Sequence, residues 1–179
     1  MPEYHFYELH EVRVHATPEV AAAALRRVTF GDIGVYSGLM RIRAAASGRF
    51  RAASPQSEVN VLQALARPGS GFVPLHDDGR EIVMGMAGQP WSGGRVPTVR
   101  TPEDYEAFHR PESVKIAFNL AVRDEGGGWS RITTETRIRA TDDAAQRIMA
   151  RYWRTIYPGT GMIRRMWLNA ARHRAENGR

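Results

Sequence analysis

No cysteine occurs in the 179 residues. That excludes disulfide cross-links, thiolate zinc sites and a cysteine nucleophile together. Lysine is almost as scarce: Lys115 stands alone, and arginine carries nearly all of the basic charge behind the +6 net balance. Long apolar runs are missing too. The longest small-apolar stretch, residues 20–25, is far shorter than the ~20 residues needed to cross a bilayer. The opening Met1-Pro2-Glu3-Tyr4-His5 is too polar for a signal peptide, so a soluble cytoplasmic protein is expected. No Gly-x-Ser-x-Gly elbow is present. His5, His10, His15, His76, His109 and His173 show no helical or strand spacing of metal ligands. Neither a metal nor a cofactor is therefore expected. Gly126-Gly127-Gly128 lies in a hairpin turn, not between a strand and a helix, so it is no phosphate loop.

Apolar residues make up 42% of the chain and charged residues 25%, the usage of a folded globular protein. One domain over residues 1–179 has enough material for a substantial core. A basic protein raises the question of nucleic acid or an anionic surface, and from Thr141 onward there are eight arginines against three acids. Yet arginine abundant beside alanine and glycine is what a GC-rich genome produces. Nor does any segment interleave aromatics with clustered basic residues, as nucleic-acid grooves do. Nucleic acid is not the expected partner.

Along the chain, Val12-Arg13-Val14-His15-Ala16 alternates as a strand does. Thr17-Pro18-Glu19 then supplies an N-cap, a first-turn proline and a first-turn acid, and Val20, Ala24, Leu25 and Val28 give the helix an apolar face. A second short helix is expected over residues 39–46, a mobile loop over 47–57, and another helix within 58–66. A hairpin follows, from Phe72-Val73-Pro74-Leu75 through Asp77-Asp78-Gly79 to residues 81–87. Residues 103–109 suit a helical turn. The clearest strand pair places Val114, Ile116, Phe118, Leu120 and Val122 on one face. After a glycine-rich turn, Ile132, Thr134, Thr136 and Ile138 share a face of the partner strand. Thr141-Asp142-Asp143 then caps a long helix carrying Ala145, Ile148, Met149, Tyr152, Trp153 and Ile156. Pro158-Gly159 interrupts it, and Ile163, Met166, Trp167 and Ala170 resume the stripe in register, so a kink fits better than an end. Helices segregated from an antiparallel sheet define an α+β class. A curved sheet wrapped around the final helix, the helix-grip arrangement, leaves a concave space between them.

That order, and several local phrases, resemble the SRPBCC superfamily of START-like and polyketide cyclase/dehydrase-like proteins, in its uncharacterised bacterial branch. The phrases are Glu8-Leu9-His10-Glu11-Val12-Arg13-Val14-His15-Ala16-Thr17-Pro18-Glu19-Val20, Gly71-Phe72-Val73-Pro74-Leu75 and Gly79-Arg80-Glu81-Ile82-Val83-Met84-Gly85. Gln89-Pro90-Trp91, Thr134-Glu135-Thr136-Arg137-Ile138, Tyr152-Trp153-Arg154-Thr155-Ile156-Tyr157-Pro158-Gly159 and Ile163-Arg164-Arg165 complete them. The resemblance implies a helix-grip fold and a cavity for a hydrophobic or amphipathic small molecule. It does not fix a reaction.

Candidate residues follow from the pattern. Glu8 and His10 are two apart on a strand and share the inward face with Val12 and Val14. A carboxylate beside an imidazole makes a general base or a polar anchor, or two hydrated groups at a strand end. Thr134 and Thr136 offer hydroxyls to a polar ligand or serve as ordinary strand formers. Met84, Met86 and Met149 suit an adaptable pocket or a plain core. Trp91, Phe118, Trp153 and Tyr157 are the large side chains able to wall a cavity. Arg147, Arg151 and Arg154 read as a solvated helix face. The leading expectation is binding of a hydrophobic or aromatic small molecule between sheet and helix. A cyclase/dehydratase-like enzyme using His10 and Glu8 stands behind it, and an anionic-surface binder third.

Overall fold

Period-two alternation in five segments, each bounded by turn residues, produces one curved antiparallel sheet. The computed structural model describes residues 1–33, 58–92 and 99–178. Its strands are β1 (Phe6–Val14), β2 (Val73–Asp77), β3 (Glu81–Gly88), β4 (Val114–Gly126) and β5 (Trp129–Ala140), ordered β1-β5-β4-β3-β2. Helices α1 (Pro18–Arg26) and α2 (Val61–Ala66) follow β1, α3 (Pro102–Glu106) precedes β4, and α4 (Asp143–Asn177) ends the fold. The class is α+β, with a long C-terminal helix against the sheet. The helix expected over 39–46 and the loop over 47–57 lie outside the described residues.

The β4–β5 hairpin turns more tightly than its glycine-rich sequence suggests. Pairing continues to Gly126 and Trp129, leaving Gly127 and Gly128 at φ 60° and 79°. Positive φ at both loop positions is what a two-residue hairpin matching the sheet's twist requires, and glycine adopts it without a Cβ penalty. Register then fixes which side chains share the concave face. Glu8 stands opposite Thr136, Thr136 opposite Phe118, and Phe118 opposite Met84. In the next row His10, Thr134, Leu120 and Ile82 align in the same way.

Helix α1 is capped by Thr17, whose Oγ1 accepts from Val20 N at 3.5 Å. It buries Ala21, Ala22, Ala24 and Leu25. Val20, expected on that face, is 47% exposed instead, because the buried line is rotated toward the alanines. Helix α4 runs 35 residues, about 50 Å at 1.5 Å per residue. Asp142 caps it, accepting from Ala145 N at 2.7 Å, and Gly178 ends it in a left-handed conformation. Helical structure passes through Pro158 without a break.

The helix–sheet interface holds two apolar clusters. One joins α1, Met84, Phe118, Leu120, Val122 and Ile132 to Trp167, Leu168, Ala171 and Ala175 of α4. The other joins Val114, Ile138, Ala145 and Met149, with Phe6, Trp91 and Trp153 packed against it. Each fully buried large apolar side chain contributes roughly 1.5–3 kcal/mol. Between the clusters, the Glu8–Thr136 and His10–Thr134 rows bring polar groups to the sheet where α4 passes through Pro158, Gly159 and Gly161.

A candidate site where a helix crosses a polar row

Glu8 is buried at 4% exposure, an expensive position for a carboxylate without partners. It has two. His10 Nε2 lies 2.7 Å from Glu8 Oε1, and Thr160 Oγ1 donates to Glu8 Oε2 at 3.4 Å while also bonding the Tyr157 carbonyl at 3.0 Å. With Nε2–H given to the carboxylate, neutral His10 keeps Nδ1 as a bare acceptor; this tautomer follows from the hydrogen bond. The helix can approach so closely because position 161 lacks a side chain. A Cβ on Gly161 would stand 3.0 Å from Glu8 Oε1 and 3.4 Å from His10 Nε2.

Thr134, buried beside His10 in register, receives a hydrogen bond from Arg164 Nη1 at 3.0 Å. The Arg164 guanidinium lies over the Phe118 ring, 4.3 Å from its centroid. Desolvation pulls its pKa down to about 10, against the opposing attraction of Glu8. Beside His10 a partly open cleft of about 200 Å³ is walled by Tyr157, Met162 and Met166, with Pro158, Gly161 and Arg165 along the helix side. For scale, a dry cavity of about 150 Å³ admits benzene.

The expected residues separate into groups. Glu8, His10 and Thr134 meet in the polar layer, and Thr136 lies buried in the same row as Glu8. Tyr157 reaches the cleft and is 44% exposed. Met84 and Phe118 are core beside α1, whereas Met149 is core in the second cluster, with Trp91 and Trp153 packed on it. Trp153 also contacts Phe6 and Tyr157, at ring separations of 6.3 and 5.5 Å. Met86 is partly buried on β3. Arg147, Arg151 and Arg154 are exposed, as is Ile148 at 36%. The sequence reading did not single out Arg164, Thr160 or Gly161. The signal was there. Gly161, Leu168, Ala171 and Ala175 are buried on one line of α4, and Arg164 occupies the i+3 position of that line.

No protein-family model matches the chain, and no curated protein is similar to it. Among solved structures, it is similar to a crystal structure of a hypothetical protein from Helicobacter pylori. The likeness has a TM-score of 0.42 at 9% identity and covers 97% of this chain and 90% of the other. Among the described residues, no helix is long and apolar enough to cross a membrane.

Proposed function

We propose that the protein binds a small hydrophobic or aromatic molecule in the cleft between the sheet and α4, with His10 as its polar floor and Glu8 behind it, hydrogen-bonded to the imidazole. The observation that carries this reading is His10, which lines a cleft walled by Tyr157, Met162 and Met166 and is held from behind by buried Glu8, 2.7 Å away. An apolar wall with a few convergent polar groups is the usual composition of a small-molecule site. The likeness of the sequence phrases to the SRPBCC superfamily supports the same reading. A volume of about 200 Å³ suits one or two fused rings better than a long lipid.

The test is native mass spectrometry of freshly purified protein, followed by titration with 2-naphthol read through quenching of tryptophan fluorescence. Saturable one-to-one quenching that weakens in Tyr157→Ala and His10→Ala, with melting curves showing both variants folded, is expected. A clean apo mass together with no saturable quenching would sink the reading.

A cyclase/dehydratase-like enzyme is the second reading, favoured by the same pair. A buried carboxylate hydrogen-bonded to Nε2 orients an imidazole and fixes its tautomer, leaving Nδ1 to accept a proton, which is the geometry a general base needs. His10→Ala should then abolish turnover while leaving 2-naphthol binding largely intact. Full turnover in that variant would remove His10 from the chemistry.

A further inference from the structure

Charge is distributed unevenly along α4. Residues 144–175 contain seven arginines and neither aspartate nor glutamate. Arg164 turns inward to Thr134, and Arg174 pairs with Asp32. The other five, Arg147, Arg151, Arg154, Arg165 and Arg172, are exposed. They follow one another at four, three, eleven and seven residues, each close to whole helical turns, so they share one side of the helix. The row is about 37 Å long at 1.5 Å per residue. Among the described residues none of the five forms an ion pair; Arg147 is only attracted by Asp142, the N-cap. Residues 34–57 and 93–98 contain neither aspartate nor glutamate, so no acid from those segments can neutralise the row.

The outer face of the sheet shows the contrast. There Arg13 and Arg131 pair with Glu125, Arg131 also with Glu11, Arg137 with Glu135 and Arg139 with Glu3. Arginine is thus neutralised on the sheet and left bare along α4. Exposed apolar side chains border the bare row. Ile148, Tyr157 and Met162 are 36%, 44% and 39% exposed, and each stands three residues from one of its arginines, the spacing of neighbours on a helix surface. Helix α4 buries residues from Ala145 to Ala175 against the rest of the fold. Held lengthwise in this way, it presents one side only and cannot enter a nucleic-acid groove as a projecting helix does. A plane fits this side better, with guanidiniums among anionic headgroups and the bordering apolar side chains at the interfacial level.

We propose that the arginine side of α4 docks the protein peripherally on a bilayer rich in anionic lipid. The proposal goes beyond the small-molecule reading and does not depend on it. The two meet in Tyr157, Met162 and Arg165, which also line the cleft, so the cleft lies within the docked face.

The experiment is co-sedimentation of the full chain with phosphatidylcholine vesicles, with and without about 30 mol% phosphatidylserine, at about 50 mM and about 300 mM NaCl. Wild type is expected to bind the anionic vesicles alone, and at least about tenfold more weakly at the higher salt. The triple variant Arg147→Gln/Arg151→Gln/Arg154→Gln leaves the cleft residues untouched. It should bind roughly a hundredfold more weakly, near fivefold for each arginine removed. Arg67→Gln/Arg100→Gln/Arg123→Gln removes the same charge from exposed positions off α4 and should bind within about threefold of wild type. An equal loss in both triple variants would overturn the proposal, because net charge and not this face would carry the binding. Failure of wild type to sediment with anionic vesicles would also overturn it and leave small-molecule binding standing. Capture of a duplex oligonucleotide that falls steeply with salt, without vesicle binding, would give the row to nucleic acid instead.

Discussion

Replacing Gly161 with alanine tests whether the close approach of α4 to Glu8 is real, and Gly159 supplies the control two residues away. In a helix interior, alanine is favoured over glycine by about 1 kcal/mol. At Gly159 nothing lies within 4 Å of an added Cβ, so the gain should be realised almost in full. At Gly161 the new methyl meets Glu8 Oε1 at 3.0 Å and His10 Nε2 at 3.4 Å. Glu8 must then retreat by a few tenths of an ångström while held by His10 and Thr160 on a buried strand. Weakening a hydrogen bond to a charged, buried group costs about 1.5–3 kcal/mol. The propensity gain and this loss oppose each other, and the loss is the larger. Gly161→Ala should therefore be less stable than wild type by about 0.5–2 kcal/mol, and less stable than Gly159→Ala by about 1.5–3 kcal/mol. In a chain of this size 1 kcal/mol moves the melting temperature by about 2–4 °C. The two alanine variants should thus melt roughly 3–12 °C apart, a gap that far-ultraviolet circular dichroism and urea titration both resolve. In a Glu8→Ala background the obstruction is gone, and Gly161→Ala should turn stabilising by about 1 kcal/mol. If Gly161→Ala and Gly159→Ala rise together in the wild-type background, the helix does not press on Glu8 and the close contact between α4 and the polar row is refuted.

Pro158→Ala restores a backbone donor inside α4 and should stabilise by up to about 3 kcal/mol in chemical denaturation; an unchanged midpoint would show that the packing around the proline ring offsets the gain. Gly85→Ala forces a methyl to within 2.8 Å of Leu75 and 2.9 Å of the Tyr105 ring, and overpacking of this kind should cost about 1–3 kcal/mol, read from thermal melts. Asp77 accepts both guanidinium nitrogens of Arg26, which holds its carboxyl down at about 2 against an ordinary 3.8. The folded-state value is the lower one, so this stabilisation is complete above about pH 4 and is lost as pH falls toward 2. Because the pair is largely exposed, its worth is at most about 1 kcal/mol. Carboxyl resonances followed by NMR should show Asp77 moving up toward its ordinary value in Arg26→Ala, with the Gly79 backbone hydrogen bond still holding it somewhat below. Tyr105, pushed up to about 12 by burial alone, should resist ionisation to higher pH than the exposed tyrosines when absorbance at 295 nm is followed.

The sheet was legible because its signal is local and repeated. Even-numbered apolar residues from Val114 to Val122 and from Ile132 to Ile138 specify both the faces and the register. The inward direction of Glu8 and His10 followed from the same period, and the structure pairs them at 2.7 Å. The α4 stripe was harder to place. Ile163, Met166 and Ala170 are only partly buried, whereas Gly161, Leu168, Ala171 and Ala175 lie deepest. Apolar side chains alone were counted, so a seam made of glycine and alanine with an arginine in it passed unnoticed. Small residues mark where a backbone approaches closely, and such approach depends on what the facing strand presents. That information sits more than a hundred residues away in the sequence. Val20 went wrong for a related reason: the alanines of α1 face the core, and their small size lets α1 settle against α4 with valine turned outward.

The strand order carries a kinetic consequence. The β4–β5 hairpin needs only a two-residue loop to close, whereas β1 must pair with β5 across more than a hundred residues. Loop-closure entropy grows with separation, and distant pairings are slow to form. Strand β1, at the edge of the sheet, is thus the piece that docks last and frays first. It also carries Glu8 and His10, so the polar layer comes into being only at the final step of assembly. Amide exchange should show β1 opening ahead of β4 and β5, and any ligand resting on His10 would act as the clasp that slows that opening.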